Sequence, residues 1–220
     1  MHITLPDGSV TSVQPGTTPA DIALSISPRL HDDAIAALVD DRLVDVSQPL
    51  ENDASVHIIT KQDERAHEVL LHSTAHLMAH AIKNLYPRTK IAIGPAIEER
   101  FYYDIDMERP VTEEMLEEIE AEMKRIAEGN YPLQRLELSK EEASKLFEER
   151  GEDYKLEIIA EVEDGDTISA YQQDDFIDLC RGPHVPTTGK IKHFKLLNTS
   201  GAYWRGDERN KMLQRIYGTS

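Results

Sequence analysis

The sequence predicts an α+β protein built of two units, a small one over residues 1–61 and a larger one over residues 62–220. Three observations carry this. Short alternating segments separated by turn residues fill the first sixty positions. A long run without Gly or Pro, residues 63–86, then carries a helical period. Beyond it, strand-like segments alternate with heavily charged helical ones and give way to strands punctuated by Gly.

In the small unit, residues 2–5 and 10–14 flank Pro6-Asp7-Gly8-Ser9, a hairpin signal in which Asp-Gly supplies the tight turn. Thr18 then stands as N-cap of a short helix with Pro19 at its first position, where a missing N–H costs nothing. Residues 34–39 and 42–46 form a second hairpin around Asp40-Asp41, and residues 55–60 a last strand. Hairpin, helix and further strands within about sixty residues describe a small β-grasp, ubiquitin-like arrangement. Its histidines, His2, His31 and His57, are scattered, so the unit reads as a binding or regulatory module and not a catalytic one.

The larger unit follows a polar junction at residues 61–64. Residues 90–95 and 100–106 read as paired strands, and Thr112 caps a charged helix that ends at Gly129-Asn130. Residues 133–138 are a strand, and Ser139-Lys140-Glu141-Glu142 resembles a capping box opening a helix that stops at Gly151. Residues 154–159 alternate and read as a strand, as do 194–197, 202–204 and 212–217. The unit is thus predicted as helices flanking a mostly antiparallel sheet. The last residues, 213–220, are strand-like without cap or tail, which suggests a piece of something longer.

The chain has one Cys, Cys180, so no internal disulfide framework is possible, and no segment resembles a signal peptide or an uninterrupted membrane span. A soluble, cytoplasmic protein with no membrane partner is predicted. The net charge of −17 argues against a general nucleic-acid coat, but it is unevenly spread. Residues 111–170 hold 7 basic and 19 acidic groups, net −12, whereas residues 181–220 hold 8 and 2, net +6. The basic end either steers a phosphate backbone or balances acidic neighbours in the fold.

Two stretches carry chemistry. His72 and His76 stand four apart in the helical run, which stacks them on one face. At about 100° per residue they fall opposite the arc of Leu71, Leu77, Met78, Ala81, Ile82 and Leu85, beside Ala75 and Ala79, outside the main core stripe. Alone, such a pair reads as a solvated face. The second stretch, Asp178-Leu179-Cys180-Arg181-Gly182-Pro183-His184, gathers a carboxylate, the lone thiol and an imidazole around a turn-forming sequence. Two His plus Cys and His suit a four-ligand zinc set and equally an acid/base and nucleophile set. Residue types alone leave both open.

The series as a whole resembles a known family. His72-x-x-x-His76 with Met78-Ala79-His80-Ala81-Ile82-Lys83, Ala92-Ile93-Gly94-Pro95-Ala96, Phe101-Tyr102-Tyr103-Asp104, the segment Cys180 to Val185, Gly201-Ala202-Tyr203-Trp204-Arg205-Gly206 and Lys211 to Gly218 are similar to the amino-terminal half of bacterial threonyl-tRNA synthetases. The resemblance implies a TGS domain over residues 1–61 and an editing domain over 62–220. It implies that the ATP-, magnesium- and zinc-dependent aminoacylation domain lies outside these residues, with no cofactor needed here. It implies a hydrolase that removes serine wrongly joined to threonine tRNA. The partner is then that mischarged tRNA, the piece itself a monomer and the longer family protein a homodimer.

By the same resemblance, the site residues are His72, His76, Lys155, Cys180 and His184 for chemistry, with Asp178 and Tyr103 for substrate. Asp178 is expected to hold the substrate ammonium, and Lys155 or His72 to orient or deprotonate water. Lys155 read without the family is a solvated charge on a strand, and Tyr103 is equally a core aromatic. His76, Cys180 and His184 are expected to shape the site and contact the ribose. Covalent attack by Cys180 is the less favoured route, and no bound metal is expected, although the four N/S donors are similar to the zinc set of alanine-specific editing domains. A non-catalytic tRNA- or partner-binding module with structural zinc is the alternative.

Overall fold

The computed structural model describes all 220 residues. Its first sixty form a five-stranded sheet in the order β2-β1-β5-β3-β4, from β1 (His2–Thr4), β2 (Val10–Ser12), β3 (Ala34–Val39), β4 (Arg42–Val44) and β5 (Ala54–Thr60). β1 and β5 run parallel and the other pairs antiparallel. Helix α1 (Pro19–Ile26) starts at the expected cap: Thr18 and Asp21 bond reciprocally in a capping box. A short α2 (Pro28–Asp33), capped by Ser27, follows without having been foreseen. The β3–β4 turn puts both Asp40 and Asp41 at positive φ, which short Asp side chains tolerate.

Helix α3 (Arg65–Leu85) is the axis of the molecule. Beyond it come β6 (Lys90–Ile91), β7 (Ala96–Ile97), β8 (Arg100–Asp106), α4 (Glu113–Gly129), β9 (Leu133–Leu138), α5 (Lys140–Glu149), α6 (Asp153–Ala160), β10 (Ile168–Gln173), β11 (Phe176–Leu179), β12 (Lys195–Tyr203) and β13 (Met212–Thr219). They make a β11-β10-β9 sheet and a β12-β13-β8-β6 sheet with β7 on β8, all antiparallel. Thr112 and Ser139 cap α4 and α5 as the sequence predicts, and Asn130 ends α4 in the left-handed conformation. No helix is long and apolar enough to cross a membrane.

Two expectations are corrected. Residues 154–159 are not a strand but most of helix α6, in which Tyr154, Lys155 and Ile159 turn inward. A short apolar run does not declare its period, and here tertiary packing against Trp204 and the central cavity decides. Trp204 itself leaves β12 for a single 3-10 turn. The second correction concerns α3, whose middle is buried on every side: Ser73, Thr74, Ala75, His76 and Ala79 are as inaccessible as Leu77 and Met78. Small side chains opposite the apolar arc let the sheet carrying β11 approach closely, so the histidine face is not solvated.

The main apolar core is shared between the units. Ile35, Ala36 and Ile59 of the small sheet join Ala66, Val69 and much of α3 in one cluster of 26 buried residues, while Ile3, Ile22 and Val56 anchor a separate core of 9. Burial between the units therefore fixes the small sheet against the helix that bears the histidines.

Candidate active site

Five segments deliver the candidate residues to one place. His72 and His76 come from consecutive turns of α3, Tyr103 from β8, Lys155 from α6, Asp178 from the end of β11, and Cys180 and His184 from the loop that follows. All except His184 line an open cavity of about 920 Å³. His184 sits behind the imidazole pair with its ring centroid 4.4 Å from that of His72 and 4.3 Å from that of His76. The helix pair and the distant turn thus share one hollow.

Sulfur is the hub of the polar cluster. Cys180 Sγ lies 3.2 Å from His72 Nε2 and 3.3 Å from His184 Nε2, and it accepts the Gly182 N–H at 3.3 Å. Ser73 Oγ accepts the Val185 N–H and stands 3.0 Å from His184 Nδ1, which fixes that ring from the other side. The loop backbone is held as well, because Arg135 on β9 donates to the Arg181 carbonyl at 3.0 Å.

A second network forms the wall beside it. Lys155 Nζ lies 2.5 Å from Asp178 Oδ1 and donates to the Tyr103 hydroxyl at 3.0 Å, and that hydroxyl donates to Asp178 Oδ2. His76 Nδ1 approaches the same carboxylate oxygen at 3.5 Å. Lys155 and Asp178 are only 2% and 1% exposed, so Lys155 is not a solvated charge. Desolvating two charges is offset only when the remaining bonds are made, as the phenol makes them here. Tyr103 is packed so tightly that any Cβ at Gly94 would overlap its ring. It is at once a core aromatic and part of the cavity lining.

Burial sets the protonation states. It draws His72 below the usual histidine range, partly offset by Asp178 and Glu68, and draws His76 and His184 well below it. All three imidazoles are therefore neutral near pH 7. The Cys180 thiol is pushed up to about 12, chiefly by burial, and is not a thiolate. Burial and the adjacent carboxylate raise Tyr103, which stays a phenol able to donate.

Chemically, the cavity offers a neutral imidazole able to take a proton from water, and an ammonium and a phenol able to donate to a developing oxyanion. The ligand atoms of His72, His76, Cys180 and His184 lie within 4.8 Å of one another and match zinc in donor type. For metal binding the buried thiol would have to give up its proton.

Sequence reasoning missed Ser73, Tyr171 and Asp45. Tyr171 faces Asp178 across the β10–β11 register, a relation visible only once the strands pair. Asp45 had a faint signal, a lone carboxylate between Val44 and Val46. Of the eight basic residues at 181–220, Lys195, Arg205, Arg209, Lys211 and Arg215 form ion pairs within the chain, so that segment mostly balances acidic neighbours.

Residues 1–60 match the TGS domain, and residues 168–217 match the threonyl and alanyl tRNA synthetase second additional domain. Over all 220 residues the chain is 56% identical to the threonine–tRNA ligase of a Geobacillus species, 55% to that of Geobacillus kaustophilus and 50% to that of Symbiobacterium thermophilum. It spans 34% of the length of each of these relatives.

Proposed function

Because this chain joins a TGS domain to the second additional domain of threonyl and alanyl tRNA synthetases and matches threonine–tRNA ligases along its whole length, we propose that it is their proofreading part and hydrolyses the ester of serine mischarged on threonine tRNA. One observation carries the reading: a neutral imidazole, a buried ammonium–carboxylate pair and a phenol converge on one open cavity.

The need for such a site follows from energetics. Serine is threonine less a methyl, and a missing methyl in a pocket is worth only about 1–3 kcal/mol, roughly 10- to 200-fold. A second cavity that admits serine and refuses the threonine methyl on size supplies the rest. In the proposed reaction His72, the imidazole at the cavity rim, takes the proton of the attacking water. Lys155 and Tyr103 donate to the oxyanion as the ester carbonyl becomes tetrahedral, and as it collapses the ester C–O bond breaks and the His72 imidazolium returns its proton to the departing ribose oxygen. Asp178 anchors the substrate ammonium, in competition with Lys155 for the same carboxylate. His76, Cys180 and His184 shape the floor and meet the ribose of the terminal adenosine. No metal is assigned, because the imidazole, the ammonium and the phenol already supply the proton acceptor and the oxyanion donors that the hydrolysis needs.

The test is single-turnover deacylation of seryl- and threonyl-tRNA by this chain. Faster release of serine than of threonine supports the proposal. Tight binding without turnover, or one zinc per purified chain, would favour a binding module instead.

A further inference from the structure

The hydrolytic site does not close within the larger unit. Asp45 lies just past β4 in the TGS domain, yet only 7% of it is exposed and both its carboxylate oxygens are spent on the other unit. Oδ1 accepts the backbone N–H of His184 at 2.8 Å, and Oδ2 accepts the Tyr171 hydroxyl at 2.5 Å. These bonds span 139 and 126 residues of sequence. We propose that Asp45 is a positioning residue of the hydrolytic site, and hence that the TGS domain completes the proofreading centre instead of merely accompanying it.

Each link from Asp45 to the reacting groups is short. The Tyr171 ring stands edge-on to the His184 ring at 4.4 Å between centroids. Its hydroxyl occupies the space that a side chain at position 182 would need, and Gly182 is further held there at φ +74°. Tyr171 therefore props the loop between Cys180 and His184 from beneath, and Asp45 holds both the prop and the loop's far end. His184 passes the constraint to Cys180 and so to His72. Burial pushes the Asp45 carboxyl up while its two bonds and Arg135 pull it back. A carboxylate kept in such surroundings costs stability unless its geometry is used.

This inference rests on the hydrolytic reading, and its test separates the two. In the full chain, Asp45→Ala is expected to lower kcat for seryl-tRNA deacylation about 10- to 100-fold with KM held within about threefold, the signature of misplaced reacting groups. Asp45→Asn can keep Oδ1 on the His184 N–H and turn its amide to the Tyr171 oxygen, so it is expected to rescue kcat to within about threefold of the unmodified chain. Equal kcat in all three, or loss in Asp45→Ala that tracks only its unfolded fraction, overturns the proposal. If Asp45→Ala does not fold, Tyr171→Phe decides: a lowered kcat at constant KM supports it and an unchanged kcat overturns it. Imidazole nitrogen spectra give an arm independent of turnover. Asp45→Ala is expected to shift the His184 signals, and unshifted signals overturn the proposal even if the unmodified chain proves inactive. Inactivity of the unmodified chain would itself sink only the hydrolytic reading.

Discussion

Helix α3 carries three histidines at successive four-residue steps, and the two ends of that series have different fates. His72 and His76 meet a thiol, a third imidazole and the Lys155–Asp178 pair in an open cavity. His80, one turn on, also has acidic neighbours, with Nε2 3.5 Å from Asp175 Oδ1, and Asp174 close by. There the likeness stops. The His80 ring stacks flat on Phe176, and Gln173 Nε2, committed to the His76 carbonyl, also lies 3.2 Å from His80 Nδ1. That makes Nδ1 the acceptor and leaves the proton on Nε2, facing Asp175. Its partner Asp175 is 83% exposed, so the lower pair is a solvated contact on a packed ring. Spacing on a helix supplies candidates, and the second element that packs on them decides which become chemistry.

The contrast is sharpest in activity. His72→Ala is expected to lower the deacylation rate by about 100- to 10,000-fold, the usual range for loss of a positioned base. Circular dichroism should remain unchanged, because His72 lies at the cavity rim. A rate within tenfold of the unmodified chain would rule out His72 as the proton acceptor.

Stability separates the two ends next. Asp178→Ala strands the Lys155 ammonium at a site 2% exposed and is expected to cost roughly 3–5 kcal/mol in urea unfolding. Asp175→Ala, losing one exposed contact, should change stability by less than about 1 kcal/mol. Comparable losses at both positions would mean that the upper network is no more integral than the lower one.

The same burial fixes a pH dependence. His72, His76 and His184 all titrate below their ordinary value of 6.5 when folded. As pH falls through about 6.5 the unfolded chain takes up protons that the folded chain refuses, so the folded state loses stability and continues to do so down through the folded values. Asp45, raised from 3.8, acts in the opposite sense: between that value and its folded one the folded state binds the extra proton, so falling pH favours it. His80, also drawn down by burial, adds to the three; with four imidazoles against one carboxyl, urea midpoints should fall between about pH 7 and pH 5, and a flat profile would contradict neutral buried imidazoles.

Much of this was legible in the sequence, for physical reasons. Caps announce themselves locally, so Thr18, Thr112 and Ser139 place three helix starts correctly. A turn-forming Arg181-Gly182-Pro183 between Cys180 and His184 likewise showed where two side chains could converge. What failed needed the third dimension. Residues 154–159 look alternating because their inward groups include a lysine, whose burial makes sense only once Asp178 is opposite it. The histidine face looked solvated because small residues are silent about what packs on them. Asp45 lies in another domain, and no local pattern connects it to His184.

At the thiol the contrast narrows to a single atom. Cys180→Ser keeps a hydrogen-bonding group between His72 and His184 while removing the sulfur. With the thiol pushed up to about 12 it is not the attacking nucleophile in the proposed route, and activity should stay within about tenfold of the unmodified chain. A trapped covalent seryl-enzyme in the unmodified chain, absent in Cys180→Ser, would reverse that reading. The smallest effect belongs to the lower end of the series. His80→Gln keeps a polar side chain beneath Gln173 but abolishes the imidazole, and its deacylation rate should lie within about twofold of the unmodified chain, because nothing in the cavity touches that ring. If it falls as far as His72→Ala at unchanged stability, the two ends of α3 work as one proton path through the His76 carbonyl and Gln173, and the boundary drawn between them is in the wrong place.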